Sequence, residues 1–470
     1  MRIGVILLIA AGLAKAGASA VDLPTPAPPR LTLAQVVRLA LRRNPALTEA
    51  RGAYRQAVGR RREASARRNP TARVDGRATL QGPIPSFQVP NPTTGQAQSI
   101  TFGRTFTKDA QASATYTTDI SGRLRIAGRV AARDAATFRT GINVEVNDLV
   151  FSAQDAFLAA RRAEELIVVA EEAVAAAKEQ LRVAAARVKA GDAPKFDELR
   201  AQVQVANLQQ DLVAARAEAR RSRATLARFL SMNPEDFGEL APVELPPAPA
   251  AAADAALLAL APAPDQPLGP LPQTTRQALL EALNARPEVI RSEWNLRLAR
   301  ARVNLERRGT RPELAFTASY FFTPDQTGFF PVQNSWSLVA NLSITLWDGG
   351  VTKTRVHQAR SQLRTAVAAQ QRIRDGVEEQ VRRAFFTMQE AQERRRATAA
   401  TSAQAREALR IARVRYSADV APPVEVTDAE VALTRARTNE INAGYDYLDA
   451  VAALNRALGR YTHFAQFAAR

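Results

Sequence analysis

Glu425 and Asp428 stand three residues apart just after the pair Pro422-Pro423, so a helix starting there carries both carboxylates on one face. Acids in the first turn of a helix complement its dipole, which is the plainest use for them. Nothing else in the chain has the makings of catalysis. The only histidines, His357 and His463, are far apart in sequence, and no HExxH, phosphate loop or nucleophile elbow occurs. Cysteine is absent altogether, which removes disulfides, thiolate zinc sites and lipid-anchored Cys. Lone histidines on helices are usually structural or solvent-facing, so the expectation is no enzyme, no metal and no cofactor. Asp348-Gly349-Gly350 has the composition of a turn that hands a strand to a helix, with Asp348 available as the cap.

These residues sit in a chain that repeats itself. Pro45 and Pro70 recur as Pro287 and Pro312 at one offset (287 − 45 = 312 − 70 = 242), which also pairs Gln35 with Gln277 and Ala40-Leu41 with Ala282-Leu283. Further along the offset is 228, pairing Gly122 with Gly350, Phe157 with Phe385, Arg187 with Arg415, Ala193-Pro194 with Ala421-Pro422, and Leu226 with Leu454. Each copy is too long for a solenoid unit, so the pattern implies a pseudo-twofold protomer. The boundaries fall at 21–235 for the first repeat, 236–273 for a Pro/Ala-rich extended connector, and 274–470 for the second repeat.

Residues 1–20 read as a secretory signal peptide: Met1-Arg2 supplies the positive charge, Val5 to Leu13 the apolar run, and Ala18-Ser19-Ala20 the small-residue cleavage site. Beyond it no stretch approaches the 18 or so unbroken apolar residues of a membrane helix. A mature chain that crosses a membrane must therefore do so as strands.

Period-two alternation marks four such strands. Val74, Gly76, Ala78 and Leu80 alternate with polar neighbours, as do Ala112, Ala114, Tyr116 and Ile120, placing one hairpin at about 72–120. In the second copy Leu314, Phe316, Ala318, Tyr320 and Phe322 share one face, and Trp336, Leu338, Ala340, Leu342, Ile344 and Leu346 share the face of the next strand, placing a hairpin at about 313–347. Lengths of about 9 to 11 residues suit a tilted strand crossing hydrocarbon, although a soluble, one-face-buried hairpin has the same pattern. Tyr320, Phe322, Phe329, Phe330 and Trp336 cluster at the far end, as an interfacial aromatic belt would.

Each hairpin leads into a long helix. From Val146 the positions Leu149, Ala153, Ala156, Ala160, Ala163, Ile167, Ala170, Val174, Ala177, Leu181, Ala184 and Val188 step by fours and threes without a polar intrusion, a sustained coiled-coil seam. Gly122 to Lys189 spans about 68 residues, or roughly 100 Å if all helical. Short turns at 190–194 and 417–423 then send a helix back. The Ala160 to Val188 part of this seam shifted by 228 reads Met388, Ala391, Arg395, Thr398, Ser402, Ala405, Leu409, Ala412 and Tyr416. It is more polar and easier to open, unless the seam has moved in register.

In the order LTLAQVVRLALRRNP, TRQALLEALNARPEV, ITLWDGGVTKTRV and RYSADVAPPVEVTDAE, the chain resembles the TolC-like outer-membrane efflux family over nearly all its mature length. The resemblance implies a mainly α protein with a membrane β-barrel, built as a homotrimer. Each duplicated helix-strand-strand-helix-helix protomer would give four strands to a twelve-stranded barrel and long helices to a coiled-coil periplasmic tunnel. It further implies that Tyr416, Glu425 and Asp428 narrow the periplasmic mouth, with threefold symmetry gathering six carboxylates that attract cations and repel anions. The tips Lys189, Gly191, Asp192, Pro194, Asp419 and Pro422 would meet a periplasmic adaptor, itself bound to an inner-membrane pump. The family's basic residue in this turn falls at Ala421 and its usual Gly at Asp419, a departure at the closing bonds.

The expectation is thus a passive exit duct of a tripartite efflux or type I secretion system, in the outer membrane of a Gram-negative-type envelope and in contact with its lipid. The alternative is a periplasmic coiled-coil adaptor or scaffold that conducts nothing. Formal net charge is +18, or 18 − 2 = +16 without Arg2 and Lys15. Runs such as Arg60-Arg61-Arg62, Arg67-Arg68 and Arg394-Arg395-Arg396 are read as solvated helix faces rather than a nucleic-acid surface, since no aromatic residues interleave with them. A basic tunnel would favour anionic cargo.

Overall fold

Thr32 and Thr274 open the two copies in the same way. Each hydroxyl accepts a hydrogen bond from a backbone N–H three residues on, Gln35 N and Gln277 N, both at 3.3 Å. In the first copy Gln35 Oε1 also accepts from Thr32 N at 2.9 Å, completing a capping box. These caps start α1 (Leu33–Arg43) and α5 (Thr275–Ala285), and the following helices α2 (Pro45–Ala66) and α6 (Pro287–Glu306) each begin on a proline. The structure, a computed structural model, describes residues 30–90, 92–93, 95–101, 105–235, 238–243, 260, 268–324, 334–418 and 420–464. The signal peptide, Phe329, Phe330, Asp419 and most of the connector lie outside the described residues.

Strands β1 (Thr71–Leu80), β4 (Phe106–Thr118), β5 (Glu313–Phe322) and β6 (Asn334–Ser343) form one antiparallel sheet in the order β1-β4-β5-β6. Its register ties the two copies together: Val74 faces Ala112, Ala112 faces Tyr320, and Tyr320 faces Trp336. Because side chains alternate along each strand, this register puts every even-numbered residue of the sheet on one side. That side carries Val74, Leu80, Tyr116, Phe316, Tyr320 and Leu338. The other carries Arg73, Asp75, Asp109, Ser113, Thr317 and Ser337, with Thr115 and Thr317 hydroxyls 3.3 Å apart. Among the described residues nothing covers the apolar side: Val74, Leu80 and Trp336 are each 79% exposed.

Two expectations about the strands need correction. The last strand ends at Ser343, so Ile344 and Leu346 leave the alternation, because the chain turns there toward the Asp348 cap of the next helix. The Gly/Pro-rich segment between β1 and β4, read from sequence as a loop, holds a small hairpin of its own, β2 (Ser86–Pro90) paired with β3 (Ala97–Thr101), which its Gly and Pro content concealed.

Helix α3 (Arg123–Ala190) and helix α7 (Val351–Ser417) are the two rods. At 68 and 67 residues each extends roughly 100 Å. Asp119 Oδ1 and Oδ2 accept from Leu124 N and Arg125 N at 2.9 Å, and Asp348 accepts from Gly350 N and Thr352 N, so a carboxylate holds the first turn of each. Helices α4 (Lys195–Phe229) and α8 (Pro423–Leu458) run back along α3 and α7, and α3 also packs on α8. Near the sheet, α2 packs on α3, α3 on α6 and α6 on α7. That lateral order repeats β1-β4-β5-β6, since each of these helices adjoins one strand in sequence. The molecule is a single layer of strands continued by a layer of helices.

The main core lies midway along the rods, where α1, α5 and the connector thicken the layer. Phe157 and Phe385, Leu226 and Leu454, and the pair Tyr445 and Tyr461 are buried there. Leu240 and Leu260 of the connector are buried too, and Gln154 Nε2 donates to Leu260 O at 2.8 Å.

Candidate functional site

The far ends of the rods carry the residues singled out from sequence. At the first tip Gly191, in a left-handed conformation, ends α3, and Pro194 starts α4; Lys189, Gly191, Asp192 and Pro194 are all exposed. At the second tip Pro422 is exposed and starts α8, whereas Ala421 is turned inward. Pro194 and Pro422 have nearly the same backbone, φ −71 and ψ 149 against φ −70 and ψ 153, so the two tips are built alike.

Tyr416 is buried, in a small cluster with Leu409, Ala412 and Val426. The Arg187 guanidinium lies 4.3 Å from the centre of its ring, a cation–π contact between the two rods. Glu425 is half-buried and pairs with Arg415, whose Nη1 is 2.9 Å from Glu425 Oε2. Asp428 is exposed and makes no ion pair among the described residues. The structure thus places the two carboxylates on the first turns of α8, one engaged and one open to water, beside a tyrosine that points into the helix pair. The base paired with Glu425 is on α7 rather than in the turn, where Ala421 is buried. Sequence reading missed this role of Arg187 and Arg415, although the pair recurs at the 228 offset one turn before each tip.

The polar seam of α7 is the buried seam. Met388, Ala391, Arg395, Ser402, Leu409, Ala412 and Tyr416 are all buried, so no register shift has occurred. The Arg395 guanidinium stacks 5.5 Å from the Tyr447 ring centre, and burial pulls it below its ordinary pKa. Ser402 Oγ and Tyr447 Oη are buried without a hydrogen-bond partner among the described residues. At the equivalent positions the α3 seam has Ile167 and Val174 where this one has Arg395 and Ser402, and a buried polar group left unsatisfied costs desolvation. Between the α3/α4 pair and the α7/α8 pair lies an open cleft of about 960 Å³, lined by Val169, Leu208, Arg406, Arg413, Glu430 and Leu433. Ion pairs Arg413–Glu430 and Arg437–Glu172 border it.

Above the tips, α3 and α8 share a network that periodicity gave no sign of. Arg162 donates to Asp446 at 3.0 Å and to Asp449 at 2.6 Å, and Tyr445 Oη donates to Glu165 at 2.7 Å. Burial pushes the Asp449 carboxyl up to about 7, with Arg162 opposing and Asp155 and Asp446 adding to the rise.

At the other end of the molecule Tyr320 and Trp336 are cross-strand partners on the apolar face, with Phe322 two residues further along the same face. Trp347, 86% exposed, stands just beyond β6 at the helix side of the sheet, a second aromatic position that the strand pattern did not single out. No described helix is long and apolar enough to cross a membrane. No group of three or more metal-ligating side chains is found among the described residues.

Residues 278–460 match the family of outer membrane efflux proteins. The outer membrane efflux protein BepC of Brucella suis biovar 1 (strain 1330) is 25% identical over 341 residues, which cover 71% of this chain and 68% of that protein. Among solved structures, the outer-membrane channel OprN superposes with a TM-score of 0.72 at 21% identity, covering 91% of this chain and 89% of its own. CusC, solved in a study of its transmembrane channel formation, gives a TM-score of 0.73 at 17% identity, covering 94% and 98%.

Proposed function

We propose, for a chain of the outer membrane efflux family that resides in the outer membrane and is not an enzyme, that it is the passive exit duct of a tripartite efflux or type I secretion system. The observation that carries this reading is the uncovered apolar face of the four-stranded sheet. A soluble scaffold has no use for it, which disfavours the adaptor alternative. In lipid the free edges of β1 and β6 are not viable, because unpaired backbone N–H and C=O groups cost several kcal/mol each there. Closure must come from other copies, and three copies of four strands give 3 × 4 = 12, a barrel continued by a helical tunnel. The repeats 21–235 and 274–470, joined by 236–273, are the duplicated units of that protomer.

Tyr416, Glu425 and Asp428 form the periplasmic gate in this reading, with Glu425 and Asp428 of three protomers ringed about the axis. Arg415 holds Glu425 in the closed state, and the polar seam of α7 lets the α7/α8 pair swing outward. Lys189, Gly191, Asp192, Pro194, Asp419 and Pro422 meet a periplasmic adaptor that links the duct to an inner-membrane pump. Tyr320, Phe322, Phe329, Phe330 and Trp336 form the aromatic belt at the outer surface of the lipid. Native mass spectrometry of the detergent-extracted protein tests the closure: a trimer is expected, and a stable monomer contradicts it.

A further inference from the structure

The positive charge of this chain is not spread evenly. On α7 the segment 351–374 holds Lys353, Arg355, Arg360, Arg364, Arg372 and Arg374 and no acid. Of these only Arg374 makes an ion pair among the described residues, a loose one of 3.8 Å with Glu293. Below it the same helix pairs its arginines with carboxylates: Arg382 with Glu378, Arg396 with Glu393, Arg410 with Glu407, Arg415 with Glu425. The uncompensated charge is therefore concentrated at the sheet end of the rods.

Part of it converges on one cleft. A cavity of about 400 Å³ beneath the sheet is lined by Arg123 of α3, Arg302 and Glu306 of α6, and Arg355 of α7. With Arg123 paired to Glu313, Arg302 and Arg355 share the cleft with one lining carboxylate, Glu306, and neither makes an ion pair among the described residues. Since α3 and α7 flank α6 in the layer, a cleft that holds side chains of all three lies over α6 on one side of the layer. Arg123 identifies which side. Its Nη1 is 3.0 Å from Glu313 Oε1, and Glu313 is an odd-numbered residue on the polar face of the sheet. The cleft thus opens on the side continuous with the polar strand face, which is the inside of the duct.

We propose that the Arg123, Arg302 and Arg355 cleft is an anion-binding station in the upper duct, so that the channel favours small anionic cargo bearing carboxylate or phosphate groups. This rests on the duct reading given above. Guanidinium forks suit both groups, because two parallel N–H donors match two oxygens. Low-dielectric walls focus the field of fixed charges into a water-filled passage, which raises the local concentration of the opposite charge. A shallow, open station also releases what it binds, as conduction requires.

The test is the reversal potential of the full-length protein in a planar bilayer under a potassium chloride gradient. It is measured in the Glu425→Ala/Asp428→Ala background, so that the carboxylates of the mouth do not set the selectivity. That background is expected to prefer chloride. Adding Arg302→Gln/Arg355→Gln, which leaves the Arg123–Glu313 pair intact, should lower the chloride-to-potassium permeability ratio by about threefold. Arg302→Lys/Arg355→Lys should retain most of the preference. Conductance with a reversal potential unaltered by the Gln pair, or a potassium preference in the background, overturns the anion station alone. Absence of conductance in every variant overturns the duct and the station with it.

Discussion

Arg415 Nη1 lies 2.9 Å from Glu425 Oε2 across the second tip, while the adjacent Tyr416 turns inward beneath Arg187. The ion pair and the cation–π contact fall on adjacent residues at the end of α7. Both charges of the pair are partly exposed, so each contact contributes only about 0.5 kcal/mol. Three such contacts breaking together amount to roughly tenfold in the open population of a trimer. Arg415→Ala should therefore raise open probability at 0.1 M potassium chloride by about that factor, and the difference should shrink at 1 M, where screening is strong. Equal open probabilities for wild type and variant at low salt would remove Arg415 from the gate.

The register of the sheet makes neighbouring residues behave oppositely. Leu338, opposite Ala318, is on the apolar face, and Ser337, opposite Ser319, is on the polar one. An arginine facing lipid near mid-membrane costs about 2–4 kcal/mol, whereas one facing the lumen costs little. Leu338→Arg should sharply reduce the folded protein recovered in outer membranes, and Ser337→Arg should be tolerated. Similar loss from both would mean that the face assignment is wrong.

Much of this was legible because the signals are periodic. Strands declare themselves by alternation from Val74 to Leu80 and from Leu314 to Phe322, and the rods by a heptad seam of small residues from Val146 to Val188. The 228 offset pointed to Arg395 and Ser402 as seam residues but left a shift in register open, and their burial in the structure decides between the two. What escaped was set by contacts between elements distant in sequence. Arg162 meets Asp446 and Asp449, and Arg187 meets Tyr416, only once α3 is laid beside α7 and α8. The hairpin of β2 and β3 escaped for a different reason: its proline-rich edges obey turn chemistry more than strand chemistry.

Asp449 gives the fold a pH dependence with an unusual sign. Burial lifts its folded pKa to about 7, above the ordinary carboxylate value. The folded state therefore binds this proton more tightly than the unfolded chain. That stabilisation is complete below about pH 4 and is lost as pH rises through about 7. The span is on the order of 4 kcal/mol per protomer. Thermal melting of the helical signal in detergent should show a midpoint that falls between pH 5 and pH 8, and Asp449→Asn should flatten that slope. A variant with the wild-type slope would place the titrating group elsewhere.

Gly459 and Ser231 are equivalent at the 228 offset, and both have positive φ, 77° and 53°. A Cβ at Gly459 would lie 2.8 Å from the Arg286 Cα, so Gly459→Ala should cost more than the 1–2 kcal/mol of left-handed strain alone. Ser231 already bears that strain, and Ser231→Gly should raise the melting midpoint, by about 1 kcal/mol in stability. Opposite shifts for the two substitutions are expected; a stabilised Gly459→Ala would contradict the close approach of α6 to the end of α8.

The central claim is that this chain forms a duct whose closed mouth is lined by Glu425 and Asp428. Single-channel recording of the purified protein in planar bilayers, with a trivalent cation titrated from the side of the mouth, tests it most directly. Small openings that the trivalent ion blocks in wild type, and that enlarge and resist block in Glu425→Ala/Asp428→Ala, are the predicted result. A failure to insert and conduct, or block of equal strength in the variant, would contradict it.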